Sequence, residues 1–435
     1  MATSFSDLTR VFGRIGMLSF GGPAAQITLM HKELVATRAW LSEAEFLRAL
    51  SFCMLLPGPE AMQLATYAGW KQRGILGGLI GGGLFVLPGA IVIAVLALVY
   101  AHYGDLGWIQ GLFVGVKATV VIIVIEALIK LSKRALVSRK HVAIALGAFI
   151  ALFVFALPFP VVIGVAAILG AVGTSAQAQP LPDNMPASLP WQRSSMMIII
   201  GAVIWSLPLL AAWAYDASLM RDIGLFFSKL AVVTFGGAYA VLAYMTQEVV
   251  TAFGWLSTDQ MMDALGLAET TPGPLILVTQ FVGMMAGFAD GGTGTALLAG
   301  GITLWVTFVP CFIWIFAGAP LIDWLEGRPK LTGAMAAITA AVVGVIANLS
   351  LWFAMHVFFA DVTTWTSGYV TMTVPYINSL QILPVMLALL AGYLLIRRGA
   401  NLIIVLCLCA IIALMATTCC QPLLSALESY MLGTK

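Results

Sequence analysis

From Ile75 to His102 the chain carries no Asp, Glu, Lys or Arg. About 20 apolar residues suffice to cross a bilayer as a helix, so this run alone commits the chain to a membrane. Similar runs lie near residues 12–30, 47–69, 107–130, 141–157 and 160–174, and again near 195–215, 223–245, 260–286, 292–320, 332–358, 377–396 and 399–418. The expectation is an all-α polytopic membrane protein of about 13 transmembrane or re-entrant helices. Composition agrees: 61% of the 435 residues are hydrophobic and 9% charged, against about 25% charged in a soluble domain. The N-terminal "MATSFSDLTRVFGRIGM" is polar and holds Arg10 and Arg14 where a signal peptide needs an apolar core, so the N-terminus is expected in the cytoplasm.

The chain repeats itself. Shifted by 215 positions, residues 20–59 align without a gap on 235–274, and 15 of the 40 positions are identical, where composition alone gives roughly 4. Phe20-Gly21-Gly22 meets Phe235-Gly236-Gly237, Glu33 meets Glu248, Trp40-Leu41-Ser42 meets Trp255-Leu256-Ser257, and Pro57-Gly58-Pro59 meets Pro272-Gly273-Pro274. A shift of 222 continues the match through Pro88 with Pro310 and Gly111 with Gly333. The expected organisation is a first repeat over 1–173, a polar, proline-rich cytoplasmic linker over 174–194, an extra transmembrane helix over 195–215, and a second repeat over 216–435.

Basic residues orient the repeats. Lys71 and Arg73 follow the second span, and Lys130, Lys133, Arg134, Arg139 and Lys140 follow the fourth. The matching loops of the second repeat, Ala289–Gly292 and Ala360–Pro375, have neither Lys nor Arg, whereas Arg328, Lys330, Arg397 and Arg398 occupy loops whose first-repeat counterparts are neutral. Because Lys and Arg favour the cytoplasm, the repeats are expected upside down relative to one another. The linker and the Arg397-Arg398 loop then lie inside and the C-terminus outside. Lys32 and Arg38 fall on the wrong side of this scheme, which points to re-entrant first and second spans.

Each repeat breaks two of its spans, once at Gly-Gly and once at Pro-Gly-Pro. Proline removes a helical hydrogen bond and clashes with the preceding turn, and the freed backbone groups are costly in hydrocarbon. Inverted repeats with paired broken helices are the pattern of a secondary transporter whose site lies near the midplane. A half-helix that starts after such a break turns unpaired N–H groups and the positive end of its dipole toward the break, which suits an anion without any side-chain charge. A packing kink is the plain alternative for any single break. Gly21, Gly22, Pro23, Pro57, Gly58, Pro59, Gly236, Gly237, Pro272, Gly273 and Pro274 are therefore candidate substrate-binding residues.

The stretches "SFGGP" (19–23), "LLPGPEAMQLATYAGWKQRGILGG" (55–78), "FVLPGA" (85–90), "TFGGAYAVLAYM" and "TPGPLI" resemble the chromate transporter family in its two-repeat form. The resemblance implies a bacterial inner-membrane, multi-pass transporter that exports chromate and confers chromate resistance, with sulfate or another oxyanion as the alternative cargo. Ala238 stands where Pro23 would be matched, so the two Gly-Gly sites differ.

Ionisable groups inside apolar spans are functional candidates. Lys117, in the fourth span, is a candidate substrate-binding residue that complements a dianion, or else it forms an ion pair with an acid such as Glu126, itself a candidate for coupling or gating. Gln63, a further candidate substrate-binding residue, and Glu60 follow the first Pro-Gly-Pro, and Glu269 precedes the second. A carboxylate there serves coupling or gating, or else satisfies helix N–H groups. Glu33 and Glu248, at matched loop edges, are expected as caps or gates, and Lys71 and Arg73 as a mouth that gathers anions or simply fixes topology. Six cysteines and four histidines show no ligand spacing, and no Rossmann glycine pattern or haem motif is present. No cofactor, metal, nucleic-acid partner or enzymatic activity is expected. The partners are a small inorganic oxyanion and the bilayer, with a homodimer left open.

Overall fold

The computed structural model describes residues 3–20, 22–173, 191–235, 238–322, 329–368 and 370–419. Gly21, Gly236 and Gly237, and residues 174–190 of the expected linker, lie outside the described residues. The remainder is almost wholly helical. The helices are α1 (Phe5–Leu18), α2 (Gly22–His31, continued by a π turn Lys32–Thr37), α3 (Glu43–Leu55), α4 (Glu60–Tyr103), α5 (Gly107–Ala135), α6 (Arg139–Phe153), α7 (Phe159–Gly173) and α8 (Trp191–Ala214). They continue with α9 (Ser218–Val233), α10 (Ala238–Gln247, continued by a π turn Glu248–Ala252), α11 (Thr258–Thr270), α12 (Val278–Gly318, preceded by a 3-10 turn Leu275–Leu277), α13 (Pro329–Phe358), α14 (Ile382–Gly392, continued by a π turn Tyr393–Arg397) and α15 (Leu402–Cys419).

This is an all-α polytopic membrane protein. Among the described residues, five helices are long and apolar enough to cross a bilayer: Glu60–Tyr103, Gly107–Ala135, Gln192–Ala214, Leu275–Gly318 and Pro329–Phe358. The expected extra helix is α8, which begins at Trp191 and so takes in the last residues of the expected linker. One feature departs from the helical expectation. The loop Ala360–Pro375, which has neither Lys nor Arg, holds an antiparallel β-hairpin, β1 (Val362–Ser367) with β2 (Val370–Pro375), turned at Gly368 with φ +60°. Alternating Thr and Val favour strand, and apolar content alone does not expose that period.

The first two expected spans of each repeat are not single helices. The 12–30 run holds two helices, α1 ending at Leu18 and α2 beginning at Gly22, and the 223–245 run holds α9, ending at Val233, and α10, beginning at Ala238. The 47–69 run is α3, the Pro57-Gly58-Pro59 turn and the start of α4, and the 260–286 run is α11, the Pro272-Gly273-Pro274 turn and the start of α12. Helices α1, α3, α9 and α11 have 14, 13, 16 and 13 residues. At 1.5 Å per residue these arms reach about 20–24 Å, short of the ~30 Å hydrocarbon core. Two long helices also break at matched points: α4 at Arg73 and Gly74 (φ −142° and +61°), α12 at Gly291 and Gly292 (φ −151° and +75°).

The chain forms two compact units, and each draws on both sequence repeats. The first comprises Met1–Leu98, Ala167–Leu256 and Leu267–Ile338. Its interior is packed by Phe12, Ile15, Phe46, Phe52, Phe85 and Phe281, all fully buried. Glycine sets the spacing there: a Cβ at Gly16 would stand 2.1 Å from the Leu84 carbonyl oxygen. The second comprises Val99–Ala166, Ser257–Gly266 and Thr339–Lys435, with Val121, Val342, Phe353 and Cys409 in its interior. Here α5 lies against α15, and a Cβ at Gly115 would stand 2.1 Å from the Cys409 carbonyl oxygen. Leu76, Ile91, Ile199, Leu210 and Ile404 stay exposed, as a lipid-facing surface requires.

Candidate anion-binding site

The broken helices meet at their breaks. The Gly58 N–H donates to the Thr234 carbonyl at 2.8 Å, and the Gly273 N–H donates to the Ser19 carbonyl at 2.9 Å. These are the same contact made twice. Adding 215 to Gly58 gives Gly273, and adding 215 to Ser19 gives Thr234, so each Pro-Gly-Pro turn bonds the residue two positions before the Gly-Gly pair of the other repeat. Such an exchange is what a two-fold relation between the repeats produces. The supporting contacts follow it: Ser19 Oγ donates to the Ile15 carbonyl at 2.6 Å, and Thr234 Oγ1 to the Leu230 carbonyl at 2.5 Å.

Both turns need glycine. Gly58 has φ +120° and Gly273 φ +89°, a region that side chains other than glycine rarely adopt. Space is short as well. A Cβ on Gly58 would lie 2.8 Å from Cys311 Sγ, and Pro272 O would lie 2.1 Å from a Cβ on Gly89. Gly89 and Cys311 are themselves repeat partners, 222 positions apart.

Three buried glutamines brace this region. Gln63 Nε2 donates to the Pro57 carbonyl at 2.7 Å, closing the first turn over the start of α4. Gln26 Nε2 donates to Gly273 O at 2.7 Å and to Ser19 O at 3.3 Å, tying the second turn to the first break. Gln280 Nε2 donates to Ala90 O at 3.1 Å. The side-chain oxygens of Gln63 and Gln280 are buried without a hydrogen bond. At the start of α4 the first intrahelical bond runs from the Gln63 N–H to the Pro59 carbonyl at 3.1 Å, so the preceding N–H groups have no partner within the helix. Glu60, at the first helical position, meets the positive dipole end. Helix starts of this kind suit anions in general.

The chromate transporter family model matches residues 6–171 and 221–414, one region in each repeat. The chain belongs to this family. It is 33% identical to a probable chromate transport protein of Synechococcus elongatus over 351 residues, 80% of this chain and 84% of that one. It is 31% identical over 344 residues to a chromate transport protein of Cupriavidus metallidurans, 78% and 80% of the two chains. A chromate transport protein of Pseudomonas aeruginosa is 27% identical over 352 residues, 79% of each. No solved structure matches the chain.

The family fold places the other candidates as follows. Gly22 opens α2 with φ +78°, and Pro23 sits in its first turn. Glu33 is buried and ion-paired to Arg38 and to Arg14 (3.6 Å). Glu33 and Glu248 each lie in the π turn that ends their arm, a geometry often kept at functional sites. Glu269 is buried near the end of α11. Lys71 is paired with Glu45 at 3.3 Å, and Gln72 Nε2 donates to the Trp40 carbonyl at 2.8 Å, which closes α3 back onto the first part of α4. The Ser42 backbone N–H holds the Glu45 carboxyl below the usual carboxylate range. Arg73 lies over the Phe5 ring at 5.1 Å and donates to the Thr3 carbonyl, so it pins the start of α1.

One alternative for Lys117 is corrected: it does not pair with Glu126, which instead meets Lys130 one turn on, at 2.5 Å. Lys117 contacts Asp259 at 2.9 Å and Asp263 at 3.2 Å. Gln26, Gln280, Asp259 and Asp263 escaped the sequence reading, though polar side chains inside or beside apolar runs were the available signal. Among the described residues, no group of three or more His, Cys, Asp or Glu is placed to hold a metal ion.

Proposed function

We propose that this protein exports chromate across the bacterial inner membrane and thereby confers chromate resistance. The oxyanion binds on backbone N–H groups at the starts of the half-helices that follow the Pro-Gly-Pro turns. The observation that carries this reading is the exchanged pair of hydrogen bonds, Gly58 to Thr234 and Gly273 to Ser19. A site made twice at matched breaks is difficult to attribute to a packing kink. Family membership supplies the oxyanion, because the matched relatives carry chromate transport in their names. The bilayer field favours this direction: each charge is worth about 2.3 kcal/mol per 100 mV, so a dianion leaving a negative interior gains roughly 4.6 kcal/mol per 100 mV.

The short arms act as re-entrant hairpins, and the two repeats lie inverted in the membrane. Reporter fusions at Arg134 and Arg328 should then both report the cytoplasm, and opposite sides would refute the inversion. The functional test is uptake into inverted membrane vesicles with chromate, sulfate, molybdate and phosphate compared. Chromate uptake above vesicles lacking the protein supports the proposal. Uptake of sulfate without chromate assigns the cargo differently, and no anion uptake refutes it.

A further inference from the structure

The second unit holds a polar centre that the anion site does not use. Lys117 Nζ lies 2.9 Å from Asp259 Oδ1 and 3.2 Å from Asp263 Oδ1. Tyr100 OH donates to Asp263 Oδ2 at 2.6 Å. A glycine makes this approach possible. A Cβ on Gly266 would stand 2.5 Å from Val116 Cγ1, so α11 and α5 run close beside Lys117. The two acids differ sharply in exposure: the Asp259 side chain is 78% exposed and that of Asp263 9%. Asp263 Oδ1 is buried and accepts no hydrogen bond, although the ammonium is near.

Two carboxylates against one ammonium leave one negative charge in excess. Asp259 faces outward and suffices to balance Lys117. The excess therefore falls on Asp263, where a charge without a full partner is costly. One proton on Oδ1 removes it. The remaining groups are already arranged for either state: Tyr100 and Lys117 hold the carboxylate, and a Lys117–Asp259 pair remains once Asp263 is neutral.

We propose that Asp263, with Lys117 and Tyr100, is a proton-binding site that loads and releases one proton in each transport cycle. This rests on the reading that the chain moves an oxyanion. In loading, an O–H bond forms at Asp263 Oδ1 with a proton delivered by hydronium, which leaves as water; release is the reverse, and no electrons move. The charged and titratable groups facing Asp263 are Lys117 from α5, Tyr100 from α4 and Asp259 on its own helix. Asp105 acts on Tyr100 through its charge, and Asp259 acts likewise on His356 of α13.

Two measurements test it. Infrared difference spectra of the purified protein, stepped between alkaline and acid buffer, should show the carbonyl band of a protonated buried carboxyl. The band should vanish in Asp263→Asn. In Tyr100→Phe, which keeps the carboxyl and removes a donor to its charged form, the midpoint should move to higher pH. In proteoliposomes with a trapped pH dye, chromate flux should carry proton movement, and Asp263→Asn should lose it. Wild-type chromate flux without proton movement, or with sodium dependence in its place, overturns the proposal, as does a band that persists in Asp263→Asn. If the wild type moves no chromate, the transport reading fails on its own, and the infrared titration alone decides the proton site.

Discussion

Replacing Gly58 by alanine probes the tip with the smallest change. Two costs follow from its geometry. At φ +120° a residue with a Cβ is strained by about 1–3 kcal/mol. The new methyl also stands 2.8 Å from Cys311 Sγ and 2.9 Å from Gln63 Nε2. Overpacking of this kind costs about 1–3 kcal/mol, and relieving it by moving Gln63 breaks the bond to Pro57. The expected loss is therefore about 2–6 kcal/mol. Gly273→Ala should cost less. Its φ of +89° carries the same strain, but the nearest atom is Leu277 Cδ1 at 3.2 Å, leaving about 1–3 kcal/mol. Cys311→Gly removes the sulfur that Gly58→Ala strikes and recreates what the first repeat has at Gly89. A double-mutant cycle between the two should show a favourable coupling of about 0.5–3 kcal/mol. Thermal denaturation in detergent reads stability, and chromate uptake into inverted vesicles reads function. If Gly58→Ala is no less stable than Gly273→Ala, or the cycle shows no coupling, the packing account of the tips is wrong.

Gln26→Leu removes one donor contact to the second turn and one to Ser19 and should destabilise by about 1–3 kcal/mol while slowing uptake; wild-type behaviour in both assays would mean the brace is incidental. Lys117→Met removes the ammonium beside Asp263 and should destabilise the protein, with much of the loss recovered by adding Asp263→Asn and none by adding Glu126→Gln, as thermal denaturation will report. Glu45 has a folded value below its ordinary one, so its contribution is present above the ordinary carboxylate range and lost as pH falls through the lowered folded value. Wild type should therefore out-melt Glu45→Gln at neutral pH and lose that margin in acid, and a margin independent of pH would contradict the Ser42 and Lys71 contacts.

Much of this was legible in the sequence for a physical reason. Membrane helices announce themselves by apolar length, and a helix break needs Gly or Pro, so Pro57-Gly58-Pro59 and Pro272-Gly273-Pro274 marked the turns and their 215-residue spacing marked the pairing. What the breaks touch was not legible, because a hydrogen bond such as Gln26 to Gly273 joins positions 247 apart, and nothing local specifies it. The Lys117–Glu126 pairing was open to rejection on geometry. Nine residues at about 100° each place two side chains on opposite faces of a helix, whereas Glu126 and Lys130 share one. Lys117's partner Asp259 lies 142 residues away, at the edge of an apolar run.

Chromate flux by the purified protein in proteoliposomes, under an imposed membrane potential, tests the central claim most directly. The account predicts efflux that accelerates as the interior is made negative and that disappears in Gly58→Leu and in Gly273→Leu variants still inserted in the membrane. Efflux equal to that of protein-free liposomes, or full efflux from both leucine variants, would contradict it.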